Sequence, residues 1–456
     1  MAIDPAAFRT AWPQVVRSLA VVTRSLDSGE EYAAEAFARA AAQPDGAIDD
    51  LVGWCIQVGR RTWLDAVRHQ AVFARIQPQL ARPEVAAMDV PTGPDAPGDD
   101  LDDRLALLFV ACDDALASGA QLVLAMRVVC GLTIRQIAGH LGIAEATAAA
   151  RLTRAKSALA RARGEFAVPD GPARATRLPV VLACVAGLFA VGQRDALQPA
   201  DATQDPARDA LTLAEALVAQ YPDEPEVLGL RSVCRLGLAR RPGRVRDGVA
   251  LPLDEVDRST WDQRLLSAGL ADAAAAIATP ADPPEQSDPS GRGPERGPEC
   301  GPESKPEREL ERGPESKPER GRHREPERLP GRFALEAAIS GVHATARDAA
   351  DTDWPRLAQL YDALLHAWPS PATRVAHLVV LGRLAMRDGG DLGQIERDLE
   401  ELVADGPPYA ARDASLALAD LARRTGRTDE AAGRYRELLD VIPAGPLREF
   451  CRRCSG

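Results

Sequence analysis

Apolar residues recur every three or four positions along most of the chain, which is the spacing of amphipathic helices. Leu105, Leu108, Phe109 and Cys112 form one such stripe, and comparable stripes fill residues 1–76. Valine and isoleucine follow the same spacing and do not alternate with polar residues, so no strand is predicted. The pattern therefore predicts an all-α protein.

Two stretches interrupt the helical spacing. Residues 77–100 are rich in proline and aspartate and predict a flexible linker. Residues 281–331 contain the octapeptide GPESKPER twice, with proline and glycine throughout and almost nothing apolar to bury, so a disordered insert is predicted. The remaining helical segments are residues 1–76, 101–168, 169–280 and 332–456.

Within the second of these segments, the sequence between residues 132 and 163 predicts a short helix, a glycine and a longer helix. Thr133 and Gln136 have the spacing of a capping box, which fixes the start of the first helix. Gly142 permits the sharp turn that follows. One face of the second helix carries Ala148, Leu152, Ala155, Leu159 and Ala162. This arrangement predicts a helix-turn-helix with one packed face.

The charge of this segment contrasts with that of the chain. A formal net charge of −12 argues against a general nucleic-acid coat. Residues 132–163 nevertheless contain one glutamate and six cations, Arg135, Arg151, Arg154, Lys156, Arg161 and Arg163. A helix with a packed back and a cationic front suits the major groove and its phosphates. The same spacing also fits an ordinary helical hairpin with a solvated charged face.

The segment LTIRQIAGHLGIAEATAAARLTRAKSAL resembles region 4 of the extracytoplasmic-function sigma factors, which belong to the sigma-70 family. Thr147, Arg151, Arg154 and Lys156 match the pattern of the recognition helix in that region. The resemblance implies that these four residues contact the −35 element of a promoter.

The first 76 residues resemble region 2 of the same sigma factors. WCIQVGRRTWLDAVR is similar to the helix that meets the −10 element, and the resemblance implies that Arg60, Arg61 and Arg68 hold the melted strand. GEEYAAEAFARA is similar to the preceding helix, which docks on RNA polymerase core. The positions implied in core binding are Glu31, Glu35 and Phe37.

Residues from 169 onward resemble the long helical C-terminal extension, similar to tetratricopeptide repeats, that one subgroup carries. YPDEPEVLGLRSVCRLGLARRPGR and TDWPRLAQLYDALLHAWPSP are two such segments. In a third, Leu421, Ala431, Ala432 and Tyr435 suit the small-large packing of stacked helices. The resemblance implies a sigma factor that binds RNA polymerase core and promoter DNA, with an extension that regulates it through a partner protein.

Three positions depart from the family pattern. Ala34 stands where the core-binding helix usually has glutamine, and Ala149 and Ala150 stand where the recognition helix often has lysine or glutamine. These departures leave two alternatives open. One is a helix-turn-helix regulator that acts independently of core polymerase, and the other is a helical-repeat scaffold whose sigma part has decayed.

The sequence shows no pattern of a catalytic or metal-binding site. Cys451 and Cys454 form a lone CxxC without a second pair, and Asp113 and Asp114 are predicted to be solvated helix positions. We therefore expect a protein that is not an enzyme and needs no cofactor or metal. The N-terminus lacks a signal segment and the apolar run from Leu178 is too short to span a bilayer, which predicts a cytoplasmic protein without membrane contact.

Overall fold

The fold was analysed in a computed structural model, which describes residues 3–44, 46–76, 101–195, 205–252, 254–278 and 330–456. The predicted linker at 77–100 lies outside the described residues, as does the predicted insert at 281–331 except for its last two positions. Helices dominate the described part of the chain, which confirms the all-α prediction.

The first half of the chain folds into ten helices within the described residues. They are α1 (Pro5–Thr23), α2 (Leu26–Ala41), α3 (Leu51–Ile76), α4 (Asp103–Ala111), α5 (Ser118–Val128), α6 (Ile134–Leu141), α7 (Glu145–Arg163), α8 (Gly171–Asp195), α9 (Pro206–Gln220) and α10 (Pro225–Ala239). Several begin at a polar residue whose side chain accepts a hydrogen bond from the first turn, as Asp4 does for α1 and Ser25 for α2.

The second half continues with a small hairpin, a 3-10 turn at Arg258–Thr260 and further helices. The elements are β1 (Val245–Arg246), β2 (Val249–Ala250), α11 (Gln263–Ala278), α12 (Arg332–Thr345), α13 (Trp354–Ala367), α14 (Pro371–Asp388), α15 (Gly393–Asp405), α16 (Pro408–Arg424), α17 (Thr428–Leu438) and α18 (Pro446–Cys454).

Among the described residues, this hairpin departs from the prediction that the chain has no strand. Val245 pairs with Ala250, and Arg246 pairs with Val249. The two residues between the strands, Asp247 and Gly248, have φ angles of 51° and 74°. This Asp-Gly pair is typical of the tightest hairpin turns, but two-residue strands are too short to show an alternating pattern.

One hydrophobic core extends from α1 through α10 and reaches Phe333 of α12. Helix α1 packs against α4 and α5, and the indole Nε1 of Trp12 donates to the carbonyl of Arg127 at 3.2 Å. Arg17 donates to the carbonyl of Leu101 at 2.9 Å. The segments predicted as regions 2 and 4 therefore share a core in this structure.

Helix α8 contains the long apolar run. It is longer than the run predicted from Leu178, and Gly171–Gln193 is long and apolar enough to cross a membrane by length and composition alone. The expectation that this run is too short is therefore wrong. Val181, Val185 and Leu188 are buried, and the helix packs against α4, α5 and α9, as a core helix does.

From α12 onward, each helix packs on the next along the chain, and α14 also contacts α16. The array joins the first half where Ala276 of α11 and Ala334 of α12 pack together on Leu228 of α10. At its far end, α18 packs against β2, and Arg424 forms an ion pair with Asp254 at 2.9 Å. The array thus turns back onto the hairpin that precedes it.

The contact between α10 and α12 depends on a glycine. A Cβ atom on Gly229 would lie 2.5 Å from the carbonyl carbon of Phe333, so Gly229→Ala should force α12 away and lower the free energy of unfolding by about 1–3 kcal/mol. Urea unfolding would measure this loss. The matched control is Gly433→Ala, whose Cβ meets nothing within 4 Å on helix α17 and should leave stability unchanged or slightly higher. Equal effects of both substitutions would contradict the proposed close packing.

Candidate nucleic-acid interface

Helices α6 and α7 form the predicted helix-turn-helix. The N–H group of Thr133 donates to Gln136 Oε1 at 2.8 Å, and the N–H group of Gln136 donates to Thr133 Oγ1 at 3.3 Å, which confirms the capping box. Gly142 ends α6 with a φ of 65°, a left-handed conformation that glycine adopts without strain. The N–H group of Ile143 then donates to the carbonyl of Ala138 at 3.0 Å. Local hydrogen bonds thus fix the angle between the two helices.

Helix α7 packs on the rest of the protein with one apolar face. Ala148, Leu152, Ala155 and Leu159 are buried, as predicted. Ala162 is exposed, so its prediction as a packed residue is wrong. It lies in the last turn, where the polar contacts of Arg163 replace apolar packing.

The opposite face of α7 is open to solvent. Thr147 and Arg154 are exposed and Arg151 is half-buried. The guanidinium of Arg154 donates within the helix to the carbonyl of Ala150 at 3.1 Å. No ion pair holds Arg151, Arg154 or Arg161 among the residues that the structure describes. These cations are available to an anionic partner such as a phosphate backbone.

Lys156 has a different environment from the other predicted DNA contacts. Its side chain is 12% exposed, and its ammonium group lies 2.7 Å from the carboxylate of Asp27 and also pairs with the carboxylate of Glu30. The second oxygen of Glu30 pairs with Arg127 of α5. Lys156 therefore joins α7 to α2 in this structure and does not face solvent as Arg154 does.

The contact between α2 and α7 is mainly polar. A cleft of about 440 Å³ lies beside it and is lined by Leu26, Lys156, Phe166 and Arg177, among others. The N–H group of Phe166 donates to the carbonyl of Arg24 at 2.9 Å. The ion pairs of Lys156 join the two helices directly, and the backbone hydrogen bond joins the segment after α7 to the segment before α2.

A second group of ion pairs anchors the end of α7. The buried carboxylate of Asp113 accepts from Arg163 Nε at 2.8 Å and from Arg177 Nη2 at 2.7 Å. Burial alone would raise the pKa of Asp113, but hydrogen bonds from Arg163 and from the N–H group of Ala115 outweigh it and hold the pKa at about 2. The prediction that Asp113 is solvated is therefore wrong. Its partners lie far along the chain, so no local pattern could reveal them.

The predicted core-polymerase residues on α2 fall into two groups. Glu31 and Glu35 are exposed, and Glu35 pairs with Arg39 at 2.9 Å. Phe37 is only 5% exposed, and its ring stands edge-on to Phe8 with centroids 5.0 Å apart. Glu31 and Glu35 are therefore placed on a surface, whereas Phe37 packs in the core.

The predicted −10 contacts lie on α3. Arg61 and Arg68 are exposed and Arg60 is half-buried, and Arg68 pairs with Asp65 at 3.2 Å. A shallow cleft of about 520 Å³ lies beside Arg61, and the side chain of Trp54 forms part of its lining. Arg60, Arg61 and Arg68 thus lie on the same helix, with Arg61 and Arg68 open to solvent.

Comparison with known proteins supports one part of this interface. Residues 109–159 match the family described as "Sigma-70, region 4", and the matched residues include α6, the turn and most of α7. The match supports a sigma-70-type DNA-binding module in this chain.

The rest of the chain has less informative relatives. Residues 177–277 match a family of unknown function, DUF6596, which covers most of α8 through α11. An uncharacterized protein of Rhizobium meliloti (strain 1021) is 29% identical over 381 residues, which cover 83% of this chain and 79% of that protein. No solved structure matches the chain significantly. The similarity to the Rhizobium protein spans both the helix-turn-helix and most of the extension.

Removing the charge of Glu30 should loosen α2 from α5 and α7. We expect Glu30→Gln to lower the free energy of unfolding by about 3–5 kcal/mol, because Arg127 and Lys156 would lose the carboxylate that offsets their burial. Asp27→Asn is the control, since Asp27 is 68% exposed and its pair should contribute only about 0–1 kcal/mol. Urea unfolding of both variants gives the comparison. A Glu30→Gln loss no larger than that of the control would show that Glu30 does not hold these helices.

Proposed function

We propose that this protein is a sigma factor of the extracytoplasmic-function type, which binds RNA polymerase core and directs it to particular promoters. The observation that carries the proposal is the open cationic face of α7 within a helix-turn-helix that matches sigma-70 region 4. In this role the protein is a non-catalytic, cytoplasmic subunit that requires no cofactor.

Helix α7 would bind the −35 element through its solvent-facing side. Thr147, Arg151 and Arg154 would contact bases or phosphates, and Arg161 would add a phosphate contact about two turns beyond Arg154. Lys156 would join them only after leaving the carboxylates of Asp27 and Glu30.

Region 2 would bind the other promoter element. Arg60, Arg61 and Arg68 would hold the melted −10 strand, and Glu31 and Glu35 would contact core polymerase. Phe37 would act by keeping α2 packed on α1.

Simultaneous binding of both elements requires that α2 and α7 separate. Elements centred at −35 and −10 lie roughly 80 Å apart along B-form DNA, whereas the Lys156 and Glu30 side chains are in contact here. The 24 residues from 77 to 100 can reach at most about 80 Å when fully extended. The chain is therefore long enough to connect the two modules on a promoter, provided that the α2–α7 ion pairs and the packing of α1 on α4 and α5 both open.

We assign a regulatory role to the extension, with a regulatory protein as its partner. Its successive helices pack pairwise along the chain, as in tetratricopeptide-like arrays, which build extended protein-binding surfaces. Helix α8 also packs on α4 and α5, so a ligand that shifts the extension can act on the DNA-binding module through direct contact.

The first functional prediction concerns the cationic face. Arg151→Ala with Arg154→Ala should weaken binding to a cognate promoter fragment, selected from random duplexes, by about 1–3 kcal/mol per lost contact. The salt dependence of binding should become shallower because fewer counterions are released. The control removes the same charge from the extension with Arg264→Ala and Arg356→Ala, which are exposed. Equal losses in both double variants would place the DNA-binding surface elsewhere.

The second concerns core polymerase. The full chain should co-purify with RNA polymerase core, and Glu31→Ala with Glu35→Ala should weaken this association several-fold without changing promoter-independent DNA binding. Glu437→Ala with Asp440→Ala, exposed at the far end of the array, is the charge-matched control. DNA binding without core binding would favour the independent helix-turn-helix regulator. If the wild-type chain binds neither DNA nor core polymerase, the result would favour the scaffold with a decayed sigma part.

A further inference from the structure

Three arginines meet where the C-terminal array begins. Arg240 follows the last turn of α10, Arg244 lies in the next turn of chain, and Arg258 lies in the 3-10 turn. These segments pack tightly, because the N–H group of Asp262 donates to the carbonyl of Ala239 at 3.0 Å. A Cβ atom on Gly243 would lie 2.6 Å from Thr260 Oγ1. The backbone thus holds the three arginines in one place.

No carboxylate pairs with these arginines among the described residues. Nearby arginines differ, since Arg231 pairs with Asp272 at 2.6 Å and Arg241 with Asp205 at 2.5 Å. Within the described residues, the side chain of Arg240 donates to the carbonyl of Leu236, at 3.0 Å, and to no carboxylate.

Arg258 donates from Nη1 to the carbonyl oxygens of His343 and Ala346. Its Nη2 is buried and has no hydrogen-bond partner in the described part of the structure. Arg240 and Arg258 therefore bind neutral backbone oxygens and keep their full positive charge.

The surroundings of these arginines form a recess. Arg240 is half-buried and Arg244 is exposed to solvent, yet many protein atoms surround both side chains. Burial, followed by repulsion from Arg244, lowers the pKa of Arg240 to about 10. Burial and the charges of Arg240 and Arg258 lower the pKa of His343 to about 4, so this imidazole stays neutral at physiological pH. The recess is therefore open to water and strongly positive.

Aromatic side chains line the same recess. Trp261 is 5% exposed, its ring lies under Arg258 at 5.1 Å, and its Nε1 donor has no described partner. Tyr361 stacks on His377 with centroids 6.2 Å apart, and burial raises the pKa of its hydroxyl to about 12. Tyr361 therefore remains a hydrogen-bond donor.

The acidic groups near the recess do not neutralise it. Glu336, which faces Tyr361, pairs with Arg332 at 2.8 Å. Asp348 and Asp351 act on Arg258 from an exposed turn, where Asp351 already pairs with Arg347 at 3.3 Å. None of the three guanidinium groups forms an ion pair with these carboxylates in the described part of the structure.

We propose that the recess formed by Arg240, Arg244 and Arg258 binds a small molecule through a phosphate group. Guanidinium groups match phosphate oxygens in geometry, and a phosphate supplies three strong acceptors and close to two negative charges. Such an anion would offset three cations that have no counter-charge, whereas a single carboxylate would leave most of the charge uncompensated. The proposal does not depend on the sigma-factor assignment.

The test uses the full chain at constant ionic strength and titrates inorganic phosphate, adenosine monophosphate and acetate, with calorimetry and thermal unfolding as readouts. Wild-type protein should bind phosphate or adenosine monophosphate saturably, with a melting temperature that rises as the site fills. Tighter binding of adenosine monophosphate than of phosphate would identify an organic phosphate as the ligand, and the reverse would identify free phosphate. Both results support the proposal.

Variants separate this site from the general stabilisation of proteins by phosphate. Arg244→Gln, at an exposed position that folding should tolerate, is expected to weaken saturable binding about tenfold or more. Arg246→Gln, exposed on the neighbouring strand, should leave it unchanged. The proposal would be overturned by the absence of saturable binding up to about 10 mM, by stronger binding of acetate than of phosphate, or by equal binding in both variants.

Discussion

The carboxylate of Glu30 is shared by Arg127 and Lys156 and thereby ties three helices together. A buried carboxylate is unfavourable unless it is paired with a cation. If α2 moved away from α5 and α7, Glu30, Arg127 and Lys156 would each lose an ion-pair partner. The same pairing fixes the rotation of α7 about its axis. With Lys156 held toward α2, Arg154 must point into solvent. The ion pairs of Glu30, which join α2 to α5 and α7, therefore also determine which cations of α7 face solvent.

The parts of the structure that could be predicted from the sequence are those determined by near neighbours. Thr133, Gln136 and Gly142 fix the helix-turn-helix through contacts within ten residues, and the 3.6-residue period identified the packed face of α7. Helical periodicity shows that a side chain lies outside the apolar face, but it does not show which residues that side chain contacts. The partner of Lys156 on α2 is 126 residues away, so the sequence assigned this lysine to DNA on its pattern alone.

The same limit explains the other differences. The sequence predicts Asp113 as a solvated helix position, yet Arg163 and Arg177 reach it from 50 and 64 residues further along. Phe37 matches a surface pattern in the resemblance, but α1 supplies Phe8 and Trp12 to cover it. Nothing in the sequence pattern around Arg240, Arg244 and Arg258 indicates that these three arginines lie close together. Only the folding of the turn shows that they meet without an acidic partner.

The packing of α11 and α12 on Leu228 affects how readily the sequence between these helices can lengthen. Ala276 and Ala334 pack on the same side chain, so the polypeptide leaves and re-enters the fold at neighbouring points. The entropy lost in joining two nearby points rises only with the logarithm of the intervening length, about 0.6 kcal/mol for each doubling. Duplication of a short segment between these points therefore has little effect on the stability of the two halves. Both copies of the octapeptide GPESKPER lie between these two points.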